Sequence, residues 1–289
     1  MPKIFAALAA VLVTLGLSSC GGGDGDASAP ETPRAAVIEA ANRTAEAGSS
    51  RASFEITMTG LAPQPLTMTA EGIFDSAERR GRMTMDMSEL GAGSGQDLGT
   101  AEMIFDDFVV YMKFPFLTQA QPNLKPWLKF DLRELGKQQG FDLGQLSQLN
   151  QNDPSQALQY LRAASDDVTE VGEEEVRGVE TTHYRMTVDL RKVVDLAPAE
   201  QREQLRATID QIIESSDIRM VPTEVWIDED GLARRMSFRY ESMRFAPGQQ
   251  GDMKMTMDLY DFGVEVDVDV PPKNQVTDIQ ELIRQGAKS

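Results

Sequence analysis

The 289-residue chain carries little of the side-chain chemistry that most enzymes use: one cysteine, Cys20, and one histidine, His183. A single thiol excludes an internal disulfide, a CxxC pair and a thiolate metal cluster. With one imidazole beside it, only carboxylates remain as metal ligands. Positive charge is also scarce, 28 Lys and Arg against 46 Asp and Glu, for a net charge of −18. Nucleic-acid binding and adhesion to anionic lipid through basic patches both need clustered positive charge, so neither is expected. Nucleotide-binding glycine motifs are missing. So is a GxSxG nucleophile elbow to accompany His183, which reads as a structural or exposed strand histidine. Paired carboxylates are inevitable among 46 acidic residues and say nothing about glycoside hydrolysis. Asp228-Glu229-Asp230-Gly231 is too short for a calcium loop and reads as a hairpin turn. No catalytic residue, metal site or cofactor is expected.

Long apolar runs are nearly absent as well. The exception is Ile4 to Leu17, which is too short at ~1.5 Å per residue to span a bilayer core and reads as a signal peptide. It ends in Leu17-Ser18-Ser19-Cys20. That tetrapeptide resembles the bacterial lipobox, in which the cysteine thiol receives a diacylglycerol and the chain is cut just before it. Gly21 to Pro30 follows, a tract too poor in apolar residues to fold, which reads as a flexible tether. The expected organisation is a signal peptide over 1–19, an acylated Cys20 and tether over 20–32, and a single domain over 33–289. Two or more acyl chains make a durable membrane anchor.

The folded part opens with a helical pattern from Pro33 to about Ala47, with Thr32 as N-cap, Val37, Ile38, Ala41 and Ala45 as its apolar stripe, and Gly48 as its stop. The period then changes from 3.6 to 2. Phe54, Ile56 and Met58 alternate with polar residues, as do Leu66, Met68 and Ala70, and Met83, Met85 and Met87. One strand is expected over Met103–Met112 and a short one over Trp127–Asp131. Leu132 to Asn152 reads as weak helix or loop, with a helix capped near Asp153 after it. Strands return at Val168–Val171 and Glu180–Leu190. An amphipathic helix follows Pro198 to about Glu214, with Leu205, Ile209, Ile212 and Ile213 on its apolar side. Pro222–Ile227, Arg234–Phe245 and Met253–Leu259 read as strands, and so does Val264–Val270, where valines alternate with Glu265, Asp267 and Asp269. A short helix from about Thr277 closes the chain. About ten strands joined by short turns predict an α+β fold, a large curved antiparallel sheet closed on one side by helices.

Methionine is abundant, with 15 residues. Met58, Met68, Met83, Met85, Met87, Met253, Met255 and Met257 all fall on inward phases. Such a flexible, polarizable lining suits a surface that accepts variable apolar partners. The alternative is that these side chains fill the core under the helices.

Several blocks in order resemble the actinobacterial LppX/LprG-type lipoprotein family, itself similar in fold to the LolA and LolB lipoprotein carriers. They are the lipobox and tether, Ser53-Phe54-Glu55-Ile56-Thr57, Tyr111-Met112-Lys113, Lys125 to Leu132, Gly178 to Leu190 with His183 inside it, and Pro222 to Asp228 followed by Gly231-Leu232 and Arg234-Arg235. The resemblance implies an incomplete antiparallel barrel around a hydrophobic pocket for long-chain lipids or glycolipids. The lipid is then carried or presented outside the cytoplasmic membrane, with an unidentified membrane transporter as a candidate partner. Candidate cavity-lining residues are Phe54, Ile56, Val264, Val266 and Val268 together with the eight methionines, and Arg79, Arg80 and Arg82 are candidates for its mouth. An envelope interaction protein with a filled core is the rival reading.

Overall fold

Alternation of apolar and polar residues builds one sheet in the computed structural model of the chain, which describes residues 32–92, 98–121, 124–134, 167–194, 199–246 and 248–286. The strands are β1 (Ser49–Met58), β2 (Leu66–Asp75), β3 (Arg80–Asp86), β4 (Thr100–Asp106), β5 (Val109–Lys113), β6 (Trp127–Asp131), β7 (Thr169–Val176), β8 (Val179–Asp189), β9 (Met220–Asp228), β10 (Ala233–Ala246), β11 (Gln249–Tyr260) and β12 (Val276–Asp278). They lie in the order β12-β6-β5-β4-β3-β2-β1-β11-β10-β9-β8-β7. Two meanders, β1–β6 and β7–β11, are therefore joined where β1 pairs with β11. All pairs are antiparallel except β12 with β6, which is parallel. The fold is α+β, as the sequence predicts.

Helix α1 (Pro33–Glu46) starts as expected: the Thr32 hydroxyl accepts from the Ala35 amide at 3.2 Å, and Pro33 occupies the first turn. Its buried stripe is Ala36, Val37, Ile38 and Ala40, shifted from the predicted one, with Ala41 and Ala45 only half-buried. Gly48 stops the helix with φ 75°, a conformation natural to glycine. Shorter helices are α2 (Ser88–Ala92), α3 (Pro115–Ala120) and α4 (Leu190–Val193). Helix α5 (Ala199–Ser216) half-buries Leu205, Ile209 and Ile213, and α6 (Ile279–Gly286) follows β12 directly. The helix expected near Asp153, and the weak one over Leu132–Asn152 beyond residue 134, lie outside the described residues.

Two strand assignments are corrected. Met103–Met112 is a hairpin, β4 and β5, turning at Asp107 and Phe108; Asp107 sits at φ 54°, which Asp tolerates better than most side chains. Val264–Val270 alternates in burial but pairs with no strand. Both neighbours of β11, namely β1 and β10, are already in its ladder. The chain after it has no open edge beside it and must cross the ends of five strands to reach β6. It runs as an extended strap. Its start is fastened through Gly263, whose amide donates to the Ser49 carbonyl at 2.8 Å.

Candidate functional site

The register separates the two faces of the sheet. On one face Ala52, Phe54, Ile56 and Met58 of β1 stand beside Leu259, Met257, Met255 and Met253 of β11, and Phe54 and Ile56 beside Ala70 and Met68 of β2. Ala70 and Gly72 then face Met85 and Met83, which face Ala101 and Met103. The result is one apolar cluster that reaches from β6 to β10, with Phe114, Phe116, Leu117, Leu124 and Ile279 packed on it. Of the predicted lining residues, Phe54, Ile56, Met58, Met68, Met83, Met85, Met253 and Met257 are buried here, each 3–8% exposed, while Met87 and Met255 are half-buried against them. A second cluster continues the same face, where Ala36, Val37 and Ala40 of α1 cover Tyr184, Met186, Val225 and Ile227. Met236 touches both clusters.

Phe74 organises the centre of this face. Its ring meets Phe54 edge-on at 6.2 Å and Phe105 at 5.7 Å. Room for it comes from Gly72 and Gly81, since a Cβ on either would stand 2.7 or 2.5 Å from the ring. Tyr240 packs against the cluster too, and burial raises its hydroxyl pKa.

Val264, Val266 and Val268 do not join the methionines as strand residues. Their strap is tied by its carbonyls to the other face: Ser49 Oγ donates to Val264 at 2.5 Å, and Arg80 Nη2 to Val268 at 3.0 Å. Both donors alternate out of phase with the apolar set. The expected mouth arginines are also elsewhere. Arg79 pairs with Asp107 at 2.7 Å and lies over the Phe108 ring, Arg80 pairs with Asp106 at 3.1 Å, and Arg82 is exposed on the polar face.

The polar face holds a feature that the sequence reading missed, a trough of about 760 Å³. Register builds its floor from two side-chain rows. The first runs Thr100, Asp86, Thr69, Glu55, Thr256, Ser237 and Glu224 from β4 to β9. The second runs Thr84, Glu71, Ser53, Asp258, Arg235 and Trp226 from β3 to β9. Period-two alternation placed these residues on the solvent side, but the signal lay in cross-strand order, which no single strand displays. Arg177, in the β7–β8 turn, overhangs one side, donating to Ser53 Oγ at 3.4 Å and lying 4.0 Å over the Tyr260 ring.

At the end of the second row the indole of Trp226 is fixed. His183 stacks on it with centroids 4.1 Å apart and planes at 10°. Glu174 accepts from Trp226 Nε1 at 2.8 Å and lies 3.2 Å from His183 Nδ1. The indole hydrogen bond holds the Glu174 carboxyl below its ordinary pKa. His183 is therefore a buried structural residue, and its Nε2 has no hydrogen-bond partner among the described residues. Arg235 and Asp258 form a two-pronged pair at 2.6 and 2.8 Å, which raises the guanidinium pKa. Among the described residues, no group of three or more His, Cys, Asp or Glu could hold a metal ion. Among them, too, no helix is long and apolar enough to cross a membrane.

The fold and its faces thus describe a protein built on one large sheet with an apolar side and a polar side. No family model matches the chain. It is similar to an uncharacterised 31.2 kDa protein of the rplA–rplJ intergenic region of Streptomyces griseus, 30% identical over 170 residues, covering 58% of this chain and 52% of that one. It is also similar to a putative lipoprotein of Streptomyces coelicolor, 27% identical over 160 residues, covering 54% of this chain and 44% of the relative. The chain spans about half the length of the curated relatives it matches. Its structural neighbours include LprF from Mycobacterium bovis, at a TM-score of 0.46 and 12% identity, covering 85% of this chain and 99% of LprF. The Mycobacterium tuberculosis lipoprotein LppX aligns at a TM-score of 0.44 and 14% identity, covering 82% and 98% respectively.

Proposed function

We propose that this chain is an envelope lipoprotein, anchored outside the cytoplasmic membrane through an acylated Cys20 and a tether. Its single domain over 33–289 would hold a long-chain lipid or glycolipid against the methionine-rich face and carry or present it. The observation that supports this most is the convergence of methionines from β1, β2, β3, β4 and β11 on one continuous apolar surface. Methionine side chains re-pack around irregular guests more readily than branched ones. The task is one of partition. A sixteen-carbon chain carries roughly 12 kcal/mol of transfer free energy at about 0.8 kcal/mol per methylene, which forbids its passage through water. Movement between bilayer and an apolar pocket is close to neutral, so the pocket has only to match the membrane.

A second reading has its own support. The same methionines are as buried as ordinary core residues, which favours an envelope interaction protein whose interior is filled and whose work is done outside.

Native mass spectrometry of the full-length lipoprotein from its own host, with extraction of bound lipid, separates the two. A stoichiometric long-chain adduct that survives removal of detergent is expected. A clean mass, with no uptake of offered phospholipid or glycolipid, would overturn the carrier reading in favour of the second.

A further inference from the structure

The trough on the polar face has no part in lipid holding, since it lies on the opposite side of the sheet from the methionines. We infer that it is a second binding site, for a neutral, polyhydroxylated ligand: a short stretch of saccharide chain lying across strands β4 to β9.

Its size falls within the ~300–1,000 Å³ of small-molecule sites. Its chemistry excludes the other common classes in turn. Apart from Phe54, Ala70 and Trp226, every lining residue is polar or charged, and Phe54 and Ala70 send their side chains to the other face. An acyl chain therefore finds no partner there. An extended peptide binds a sheet mainly through an open edge, but every strand under the trough has a neighbour on both sides. Five carboxylates face three cations across the lining, so neither a polyanion nor a polycation meets a field of one sign.

What remains matches a saccharide closely. Hydroxyl and carboxylate side chains alternate along the first row from Thr100 to Thr256, so donors and acceptors recur there at the strand spacing of about 4.8 Å, close to the length of one pyranose unit. A carboxylate accepting from a sugar hydroxyl makes a charge-assisted bond, stronger than a neutral one. Two carboxylates are available for it. Glu55 and Glu71, diagonal neighbours on β1 and β2, have no hydrogen-bond partner among the described residues, and Glu55 interacts with the Arg235 guanidinium only through its field. Asp258 and Glu224, by contrast, are held by Arg235 and Arg185 and shape the wall. The floor is rigid, because its residues stand on interior strands. The indole edge at its end is locked by His183 and Glu174. Little ordering cost is left for binding.

The test uses the full-length protein in detergent, with maltotetraose and chitotetraose as probes and a mixed Lys/Glu peptide as the rival ligand. Saturation-transfer NMR and calorimetry read the binding. At least one tetrasaccharide is expected to bind, and Glu55→Gln with Glu71→Gln to weaken it by about tenfold or more. Thr69→Trp, which fills the trough from an exposed position, is expected to abolish binding with the fold intact. Asp267→Asn, on the strap, leaves it unchanged. No binding of either saccharide, binding undiminished in both trough variants, or preference for the peptide would overturn the assignment. Lipid retention measured on the same samples reads the opposite face and is expected to be equal in all of them, so failure of one site is distinguishable from failure of the other.

Discussion

At the scale of single residues, the apolar face depends on absences as much as on methionines. Gly72 and Gly81 are small so that Phe74 can lie over them. A Cβ at position 81 would stand 2.5 Å from the Phe74 ring and 2.8 Å from the Ile73 carbonyl. The ring can swing away from it, but the backbone oxygen cannot. Gly81→Ala is therefore expected to destabilise the fold by about 1–3 kcal/mol, measured by denaturant unfolding. Gly178→Ala, whose Cβ would meet nothing within 4 Å, isolates the backbone cost of a positive φ without a clash. Asp189 is a second sensitive position. It accepts from Arg219 at 2.8 Å and from the Arg191 amide at 3.0 Å, and the Arg219 hydrogen bond is the main cause of its lowered pKa. A lowered folded-state value means stability that is present above the ordinary Asp value of 3.8 and is lost as pH falls through and below it. Asp189→Asn should thus lower stability at neutral pH by about 1 kcal/mol, with the exposed Arg219 discounted for screening. The variant should also lose stability less steeply below pH ~4. Thermal melts across that range check both parts. An unchanged acid slope would assign the pH dependence to other carboxylates.

At the scale of elements, the strap over residues 264–272 is the most informative departure from the sequence reading. Alternating valines and acids give the pattern of a half-buried strand, and burial does alternate there. The ladder is missing because pairing needs an open neighbour, and the neighbours of β11 are taken. Which strands have open edges depends on the pairing of distant segments, which a local pattern does not contain. The β4–β5 turn was hidden for a different reason. Phe108 and the apolar residues around it read as continuous strand, and only Asp106-Asp107 marked the reversal. The individual strands, the α1 cap and the methionine stripe were legible, because alternation and capping are local. The trough was not, because its rows exist only once seven strands are in register. The strap's few tethers make it testable. Arg80→Ala removes both the bond to the Val268 carbonyl and the pair with Asp106, and should speed amide exchange over 264–272 ahead of the sheet itself. Exchange that rises equally in β1 and β3 would mean that the strap is no separate unit.

At the scale of the whole molecule, the surface is strongly acidic, and nothing in its charge draws it to an anionic bilayer. Attachment would then rest on the acyl chains at Cys20 alone. Cys20→Ser is expected to release the protein from the membrane fraction and to abolish incorporation of labelled fatty acid, without altering the melting temperature of the domain. A variant that stays with the membrane would place the anchor elsewhere. The two faces of the sheet would then be free to work independently, one against lipid and the other against a wetter ligand.

The pairing of β1 with β11 also governs how the protein is made. Phe54 emerges early from the ribosome, yet its ladder partner Met257 comes close to the end of translation. Until then the inner border of the first meander is unsealed, and β6 lacks β12 as well. A chain exported from its N-terminus, as proposed above, would wait in that unfinished form. Such bare strand borders recruit other chains. The non-local closure that follows would be slow, and an exported chain of this topology would then gain from escort until β11 arrives.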